Sequence, residues 1–182
     1  MPHTDVKSIL LDRKTIDRRV RELARQIARA YRGKEILLVP VLTGSMIFTA
    51  DLIRYMPMKM RVDMVTVSSY PGRATRSKGA KILFPGALNV AGRHVLVVDD
   101  VLETGRSLTA IRKLLLRKRA ASVRTCVLLR KHCAREKKLV ADFIGFEIPN
   151  HFVVGYGMDY NHYYRNLPDV AVLKPRVFGK SF

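Results

Sequence analysis

The chain has 182 residues, 48% of them hydrophobic, which suits one domain built around a single apolar core. No apolar run approaches the roughly 20 residues that cross a bilayer, the first residues lack a secretory hydrophobic segment, and two cysteines do not make a disulfide framework, so we expect a cytoplasmic protein. Lys and Arg number 34 against 15 Asp and Glu, and the resulting formal charge of +19 attracts phosphorylated ligands or nucleic acid.

The first predicted element is an amphipathic helix over residues 12–31. Its apolar side chains recur every three or four residues with arginines on the opposite face, and Gly33 is a stop signal just past its end. The unbroken apolar run 36–42 predicts a strand, in which Pro40 indicates that hydrogen bonding already tapers.

A glycine turn, Thr43 to Ser45, separates this strand from a second predicted helix. That helix is predicted from an apolar repeat at helical spacing, formed by Met46, Ile47, Ala50 and Ile53. A strand, a glycine turn and a helix start bring free backbone N–H groups and the positive end of the helix dipole together. The turn is therefore a candidate anion site.

Residues 61–67 predict a further strand, which leads into the polar segment 68–79. That segment is rich in glycine, serine and basic residues and has almost no apolar content, so it cannot bury itself. A long polar loop in a compact domain is usually functional or disordered. A plain hairpin is the simpler alternative.

The stretch 95–109 carries the strongest motif. Four apolar residues predict a strand buried on both faces, and two carboxylates, Asp99 and Asp100, follow directly. A polar loop, Glu103 to Ser107, then opens a helix with apolar residues at helical spacing. Gly105 permits close approach of an anion, hydroxyls add donors, and paired carboxylates suit hydrated Mg²⁺ or a sugar diol. These properties together indicate a phosphorylated ribose.

The run 123–129 predicts the next strand, which ends at Arg130 and Lys131. Residues 95–129 therefore form a strand–helix–strand unit with parallel strands and a right-handed crossover. The strand ends should bring Thr43, the acidic pair and Lys131 to one edge of the sheet, where ligands bind in open α/β folds.

The segment 142–165 is dense in aromatic residues and turns, and it predicts the acceptor pocket. Phe152 can stack on a flat base and the Val153 backbone can pair with its edge, while Lys131 can donate to an exocyclic oxygen and thus favours a 6-oxopurine over adenine. Asp159 can reach Mg²⁺ or the base, and Arg165 offers a bidentate fork for pyrophosphate. Ordinary structural roles are the alternative: core packing for Phe152, a surface lysine for Lys131, and a surface ion pair for Asp159 and Arg165.

Residues 95–109 resemble the phosphoribosyl-pyrophosphate (PRPP) motif of type I phosphoribosyltransferases, and the segments from about 38 to 173 resemble hypoxanthine-guanine phosphoribosyltransferases. The resemblance implies an α/β fold: a twisted, mainly parallel sheet flanked by helices, with a small hood. It implies one domain over 1–182, with a core of about 34–140. The hood would come from the N-terminal segment and about 141–182.

The resemblance also assigns residues to the substrates. It implies a cis bond before Thr43 and a lid bearing Ser69 and Tyr70. PRPP and its 5'-phosphate would be bound by Asp99, Asp100, Glu103, Thr104, Gly105, Arg106 and Ser107. Pyrophosphate would be bound by Thr43, Gly44 and Arg165, and the purine by Lys131, Phe152, Val153 and Asp159. Mg²⁺ would be coordinated by Asp99, Asp100 and Asp159.

The implied reaction is purine salvage, in which the phosphoribosyl group of PRPP is transferred to N9 of hypoxanthine or guanine by a homodimer or homotetramer. Two residues depart from the family pattern. Asp99 stands where glutamate is usual, and Glu103 stands where the family has the aspartate proposed as general base at purine N7. The added methylene leaves the effect on turnover open, because a displacement near 1 Å can cost about 100-fold.

Two rival functions remain at this stage. The uracil-using regulators share the sequence motif of residues 99–106 and bind RNA, but the segment 152–165 favours a purine pocket. The other rival is a catalytically weak, basic nucleic-acid binder, which the charge of +19 makes conceivable. The basic residues are spread along the chain without a known nucleic-acid motif, so a solvated surface is the simpler interpretation.

Overall fold

The structure is a computed structural model that describes residues 4–68, 81–84, 88–132 and 141–178. Residues 69 and 70, the predicted lid pair, lie outside these ranges. The elements in chain order are β1 Val6–Leu11, α1 Arg13–Ala30, β2 Ile36–Leu42, α2 Met46–Arg54, β3 Met60–Val62, β4 Val65–Ser68, β5 Lys81–Phe84, β6 His94–Leu102, α3 Arg106–Arg117, β7 Ser122–Lys131, β8 Phe143–Ile148, β9 Val170–Leu173 and a 3-10 helix Pro175–Phe178.

Among these residues, one sheet of seven strands forms the centre. Its order is β5-β4-β2-β6-β7-β8, with β3 also paired to β2. Every pairing is parallel except β4 with β5. The predicted mainly parallel sheet is confirmed. The predicted strand over 61–67 is two short strands, because Asp63 between them accepts hydrogen bonds from the N–H groups of Met64 and Leu88.

The sheet is buried on both faces. Along β6, Leu96 and Val98 pack in the core cluster that holds α1 and α2, while Val95 and Val97 pack in the cluster that holds α3. All four side chains are fully buried. This three-layer arrangement explains why β6 is an apolar run without alternation.

The helices follow the sequence closely, with one exception. The carboxylate of Asp12 caps α1 by accepting from the Thr15 N–H, and α1 ends within a residue of the predicted limit. The apolar repeat predicted for α2 is only partly buried: Ile47 and Ile53 pack against the core cluster that also holds Phe48 and Leu52, whereas Met46 and Ala50 are exposed. A short, mostly apolar helix has no clear periodicity, so its contact with the sheet selects the face.

A second, two-stranded sheet pairs β1 with β9 antiparallel, which joins the N-terminal and C-terminal parts of the described chain. The main sheet continues through β8, past the predicted core limit near 140, because β8 pairs with β7. Arg19 of α1 secures that strand by donating to the carbonyl oxygens of Ile144 and Gly145. No described helix combines the length and apolarity needed to span a membrane.

Candidate functional site

The two acids lie inside β6 rather than beyond it, since the strand continues to Leu102. Asp99 is 8% exposed, and its Oδ1 accepts from the Asp100 N–H at 3.0 Å. Burial, followed by the neighbouring Asp100 charge, raises the pKa of Asp99 well above its usual value. Burial also raises the pKa of Asp100, although the positive charge of Arg165 opposes this. Asp100 is half-buried and is the more accessible of the two.

The loop after β6 turns into α3 through Gly105, whose φ of 71° is left-handed. The N-cap residue of α3, Gly105, has no side chain that could cap the helix, and the positive end of the helix dipole lies here. Thr104 and Arg106 are exposed beside Gly105 and Ser107 is half-buried. The predicted PRPP loop therefore has the donors and the dipole orientation that a phosphate needs.

The glycine turn after β2 meets the acidic pair. The bond between Leu42 and Thr43 is cis, as the resemblance implied. A Cβ at Gly44 would overlap the Asp100 carboxylate, so the turn and the acids are in direct contact. The buried Ser45 hydroxyl donates to the Val41 carbonyl oxygen at 2.7 Å, and this hydrogen bond ties the turn to the end of β2.

The segment between β8 and β9, which we call the tail, also contacts the glycine turn after β2. A Cβ at Gly157, where φ is 102°, would overlap the carbonyl oxygen of Gly44. Arg165 donates to the Gly157 carbonyl oxygen at 2.6 Å and pairs with Asp159 at 2.7 Å. These two side chains are only 23% and 28% exposed, so they form a partly buried ion pair at the site.

Lys131 and Glu103 also face each other. Lys131 Nζ lies 3.4 Å from Glu103 Oε1, and its side chain is 9% exposed. Arg130 of β7 pairs with Glu147 of β8, and His132, one residue past β7, lies 3.3 Å from the same carboxylate, so the end of β7 is fastened to β8.

Phe152 follows β8 and is 42% exposed, so it is not a core residue. Tyr160 and Phe178 meet its ring nearly at right angles, with centroids 5.8 and 5.5 Å away, and these two rings are 5.0 Å apart. The neighbouring Val153 side chain is buried. The three rings form an aromatic cluster with an accessible surface of the kind that binds a flat base.

The described residues contain no group of three His, Cys, Asp or Glu that would hold a metal by itself. Mg²⁺ in phosphate sites commonly takes one or two carboxylates and fills its shell with substrate oxygens and water. Asp100 and Asp159 fit that donor set. Asp99 fits it less well, because it is buried and favours its neutral form.

Sequence reasoning missed three residues that shape the site: Gly157, Tyr160 and Phe178. A Gly-Tyr-Gly pattern at 155–157 indicated a turn but not its contact with Gly44. Tyr160 and Phe178 belong to segments with no partner recognisable from spacing.

Residues 7–161 match the phosphoribosyl transferase domain family. The hypoxanthine-guanine phosphoribosyltransferase of Streptococcus thermophilus is 38% identical over 180 residues, which covers 99% of this chain and all of that protein. The bifunctional protein TilS/HprT of Listeria monocytogenes is 36% identical over 178 residues, and there the match is 98% of this chain and only 28% of the longer protein.

Solved structures are similar over nearly the whole chain. A hypoxanthine phosphoribosyltransferase from Staphylococcus aureus has a TM-score of 0.90 and 38% identity, covering 97% of this chain and 96% of that one. The Trypanosoma cruzi hypoxanthine phosphoribosyl transferase has a TM-score of 0.89 and 34% identity, with 98% and 96% covered.

Proposed function

This chain belongs to the hypoxanthine-guanine phosphoribosyltransferases of the phosphoribosyl transferase domain family, and we propose from that membership that it works in purine salvage. In the proposed reaction the 5-phosphoribosyl group of PRPP is transferred to N9 of hypoxanthine or guanine. The products are IMP or GMP and pyrophosphate.

The observation that carries the choice of base is the pairing of Lys131 with Glu103 at 3.4 Å. O6 and N7 are neighbouring atoms on one edge of a 6-oxopurine. An ammonium donor and a carboxylate side by side match an oxygen acceptor and a nitrogen that gives up a proton. Adenine presents an amino donor to the Lys131 donor, so the ammonium would gain no hydrogen bond from the base.

The donor side of the reaction follows from the other contacts. The ribose hydroxyls would bind Asp99 and Asp100, and the 5'-phosphate would bind the residues 104–107 at the start of α3. Arg165 and the amides of Thr43 and Gly44 would bind pyrophosphate and stabilise its charge as it departs. Glu103 would take the N7 proton as N9 attacks, and Phe152 would stack on the base.

Mg²⁺, when bound, neutralises charge on the departing pyrophosphate, and Asp100 and Asp159 are its proposed protein ligands together with Asp99. We further propose that Ser69 and Tyr70 close over the site, that residues 1–182 act as one domain, and that the protein is a cytoplasmic homodimer or homotetramer.

The test is pyrophosphate release from PRPP and Mg²⁺ with hypoxanthine, guanine, xanthine, adenine and uracil in separate reactions. Release with hypoxanthine or guanine, and the matching nucleotide by chromatography, is the expected result. Turnover of uracil alone would indicate the rival uracil-type enzyme instead. No nucleotide from any base would overturn the proposal.

A further inference from the structure

The outer face of α1 carries a row of basic side chains. The five within α1 recur at spacings of three or four residues and fall within an arc of about 80° on the helix. The opposite face, centred on Val20 and Leu23, is fully buried. We call the row the basic stripe; its members, all exposed, are Lys14, Arg18, Arg21, Arg25, Arg29 and Arg32.

Half of the basic stripe makes no polar contact within the described part of the chain. Arg21 pairs with Asp17 and lies over the Tyr55 ring. The side chains of Arg18, Arg25 and Arg29 make no ion pair or hydrogen bond with another described residue. Like charges four residues apart on a helix, such as Arg21 with Arg25 and Arg25 with Arg29, repel each other. Three exposed arginines without a partner among the described residues leave this face available to a polyanion outside the chain.

The stripe also lies away from the reaction site. α1 packs on α2 and β8, in the core cluster on one face of the sheet, while α3 belongs to the cluster on the other face. Binding at the stripe is therefore separate from binding of PRPP at the start of α3.

We propose that the basic stripe binds the phosphate backbone of a nucleic-acid duplex without reading its sequence. Residues 14 to 29 span about 22 Å of helix, and over that length of duplex axis each strand carries about six phosphates, enough to supply a partner for several of the arginines. Five of the six side chains are arginines, whose planar guanidinium suits phosphate oxygens. This activity goes beyond the proposed transfer reaction and does not depend on it.

Two other polyanion partners fit less well. A membrane-surface helix inserts an apolar face between lipids, but the apolar face of α1 is committed to the core. Single strands bind where bases stack on aromatic rings, and α1 contains no aromatic residue.

The experiment compares two variants that lose the same charge. One replaces Arg18, Arg25 and Arg29 of the stripe by Gln; the control replaces Arg112, Lys113 and Arg117, exposed residues of α3 in the other cluster, by Gln. Fluorescence anisotropy measures binding to labelled duplexes of about 20 base pairs, one DNA and one RNA, from about 50 to 200 mM salt.

We expect the stripe variant to lose at least about tenfold in affinity and the slope of log K against log salt to fall by about 2.7, or 0.9 per lost phosphate contact. The control should change the slope by less than about 1. Both variants should keep wild-type phosphoribosyl transfer, and neither should melt at a lower temperature than the wild type. A double variant, Arg25→Gln with Arg29→Gln, gives the same comparison should the triple variant fold poorly.

Equal losses in the two variants would show that net charge alone acts, and would overturn the proposal. So would the absence of duplex binding by the wild type, tighter binding of single strands, or stripe-dependent binding to vesicles containing anionic lipid in place of duplex. A wild type that binds duplex but transfers no phosphoribosyl group would contradict the proposed function and leave this inference standing.

Discussion

Lys131 and Glu103 form an ion pair at the carboxyl edge of the sheet, between the end of β7 and the loop after β6. The Lys131 side chain is 9% exposed and that of Glu103 is 53% exposed, so a nearly buried ammonium is met by a carboxylate that reaches in from solvent. A 6-oxopurine entering this place would engage both groups, Lys131 at O6 and Glu103 at N7. The extra methylene of Glu103, relative to aspartate, is compatible with that arrangement because the loop still brings the carboxylate to Lys131.

Replacement of Glu103 by Gln should remove the proton acceptor and keep the size of the side chain. We expect kcat for IMP formation to fall about 100-fold or more, while KM for hypoxanthine changes much less, because general base catalysis acts in the transition state. Steady-state kinetics with Glu103→Asp as the carboxylate control would check this. Equal activity of Glu103→Gln and the wild type would refute the base assignment.

Replacement of Lys131 by Met should weaken selection of the 6-oxo group. Loss of a buried charged donor typically costs about 1.5–3 kcal/mol, or about 10- to 150-fold in kcat/KM for hypoxanthine. Lys131→Gln, which keeps a neutral donor, should lose less. The kcat/KM ratio of hypoxanthine to adenine measures the effect, and an unchanged ratio in Lys131→Met would argue against contact with O6.

The aromatic cluster predicts a role for the C-terminal 3-10 helix in purine binding. Phe178→Leu removes an edge-to-face contact with Phe152, and such contacts are worth about 1 kcal/mol, so KM for hypoxanthine should rise about fivefold. KM for PRPP and kcat should stay within about twofold, and Phe178→Tyr should restore purine binding. Tyr163→Leu is the control, since Tyr163 is exposed outside the cluster; an equal effect there would dismiss the positioning role.

Gly157→Ala should destabilise the protein more than Gly33→Ala. Both glycines have positive φ, but an alanine Cβ meets the Gly44 carbonyl oxygen at 157 and nothing within 4 Å at 33. We expect about 1 kcal/mol for the backbone conformation at 33, and a further loss of about 1–3 kcal/mol at 157. Urea unfolding measures both. A similar cost at the two positions would contradict the close contact between the tail and the glycine turn.

Asp99→Asn should stabilise the ligand-free protein at neutral pH. Burial raises the folded-state pKa of Asp99, so the folded protein holds that proton more tightly than the unfolded chain does. Wild-type stability therefore falls as pH rises from the ordinary aspartate pKa of 3.8 through the folded-state pKa, and Asn lacks this penalty. Urea unfolding without Mg²⁺ over a pH series should show the variant's advantage shrinking as pH falls toward 4; an advantage independent of pH would exclude this cause.

Local sequence was a good guide wherever a pattern repeats within one element. The limits of α1 follow from apolar periodicity and the Asp12 cap, and β6 follows from its unbroken apolar run. It was a poor guide where neighbours decide: which face of α2 is buried, the break at Asp63, and the membership of β8 in the main sheet.

The sequence alone determined the order of α1, β2, α2, β6, α3 and β7, the acidic pair followed by a phosphate-type loop, and the placement of Lys131 at a strand end, because each depends on residues close together in the chain. The tertiary structure decided that Gly157 lies on Gly44, that Arg165 pairs with Asp159, and that Tyr160 and Phe178 flank Phe152. Gly44 and Gly157 are more than a hundred residues apart, and only the packing of the tail against the edge of the sheet brings them together.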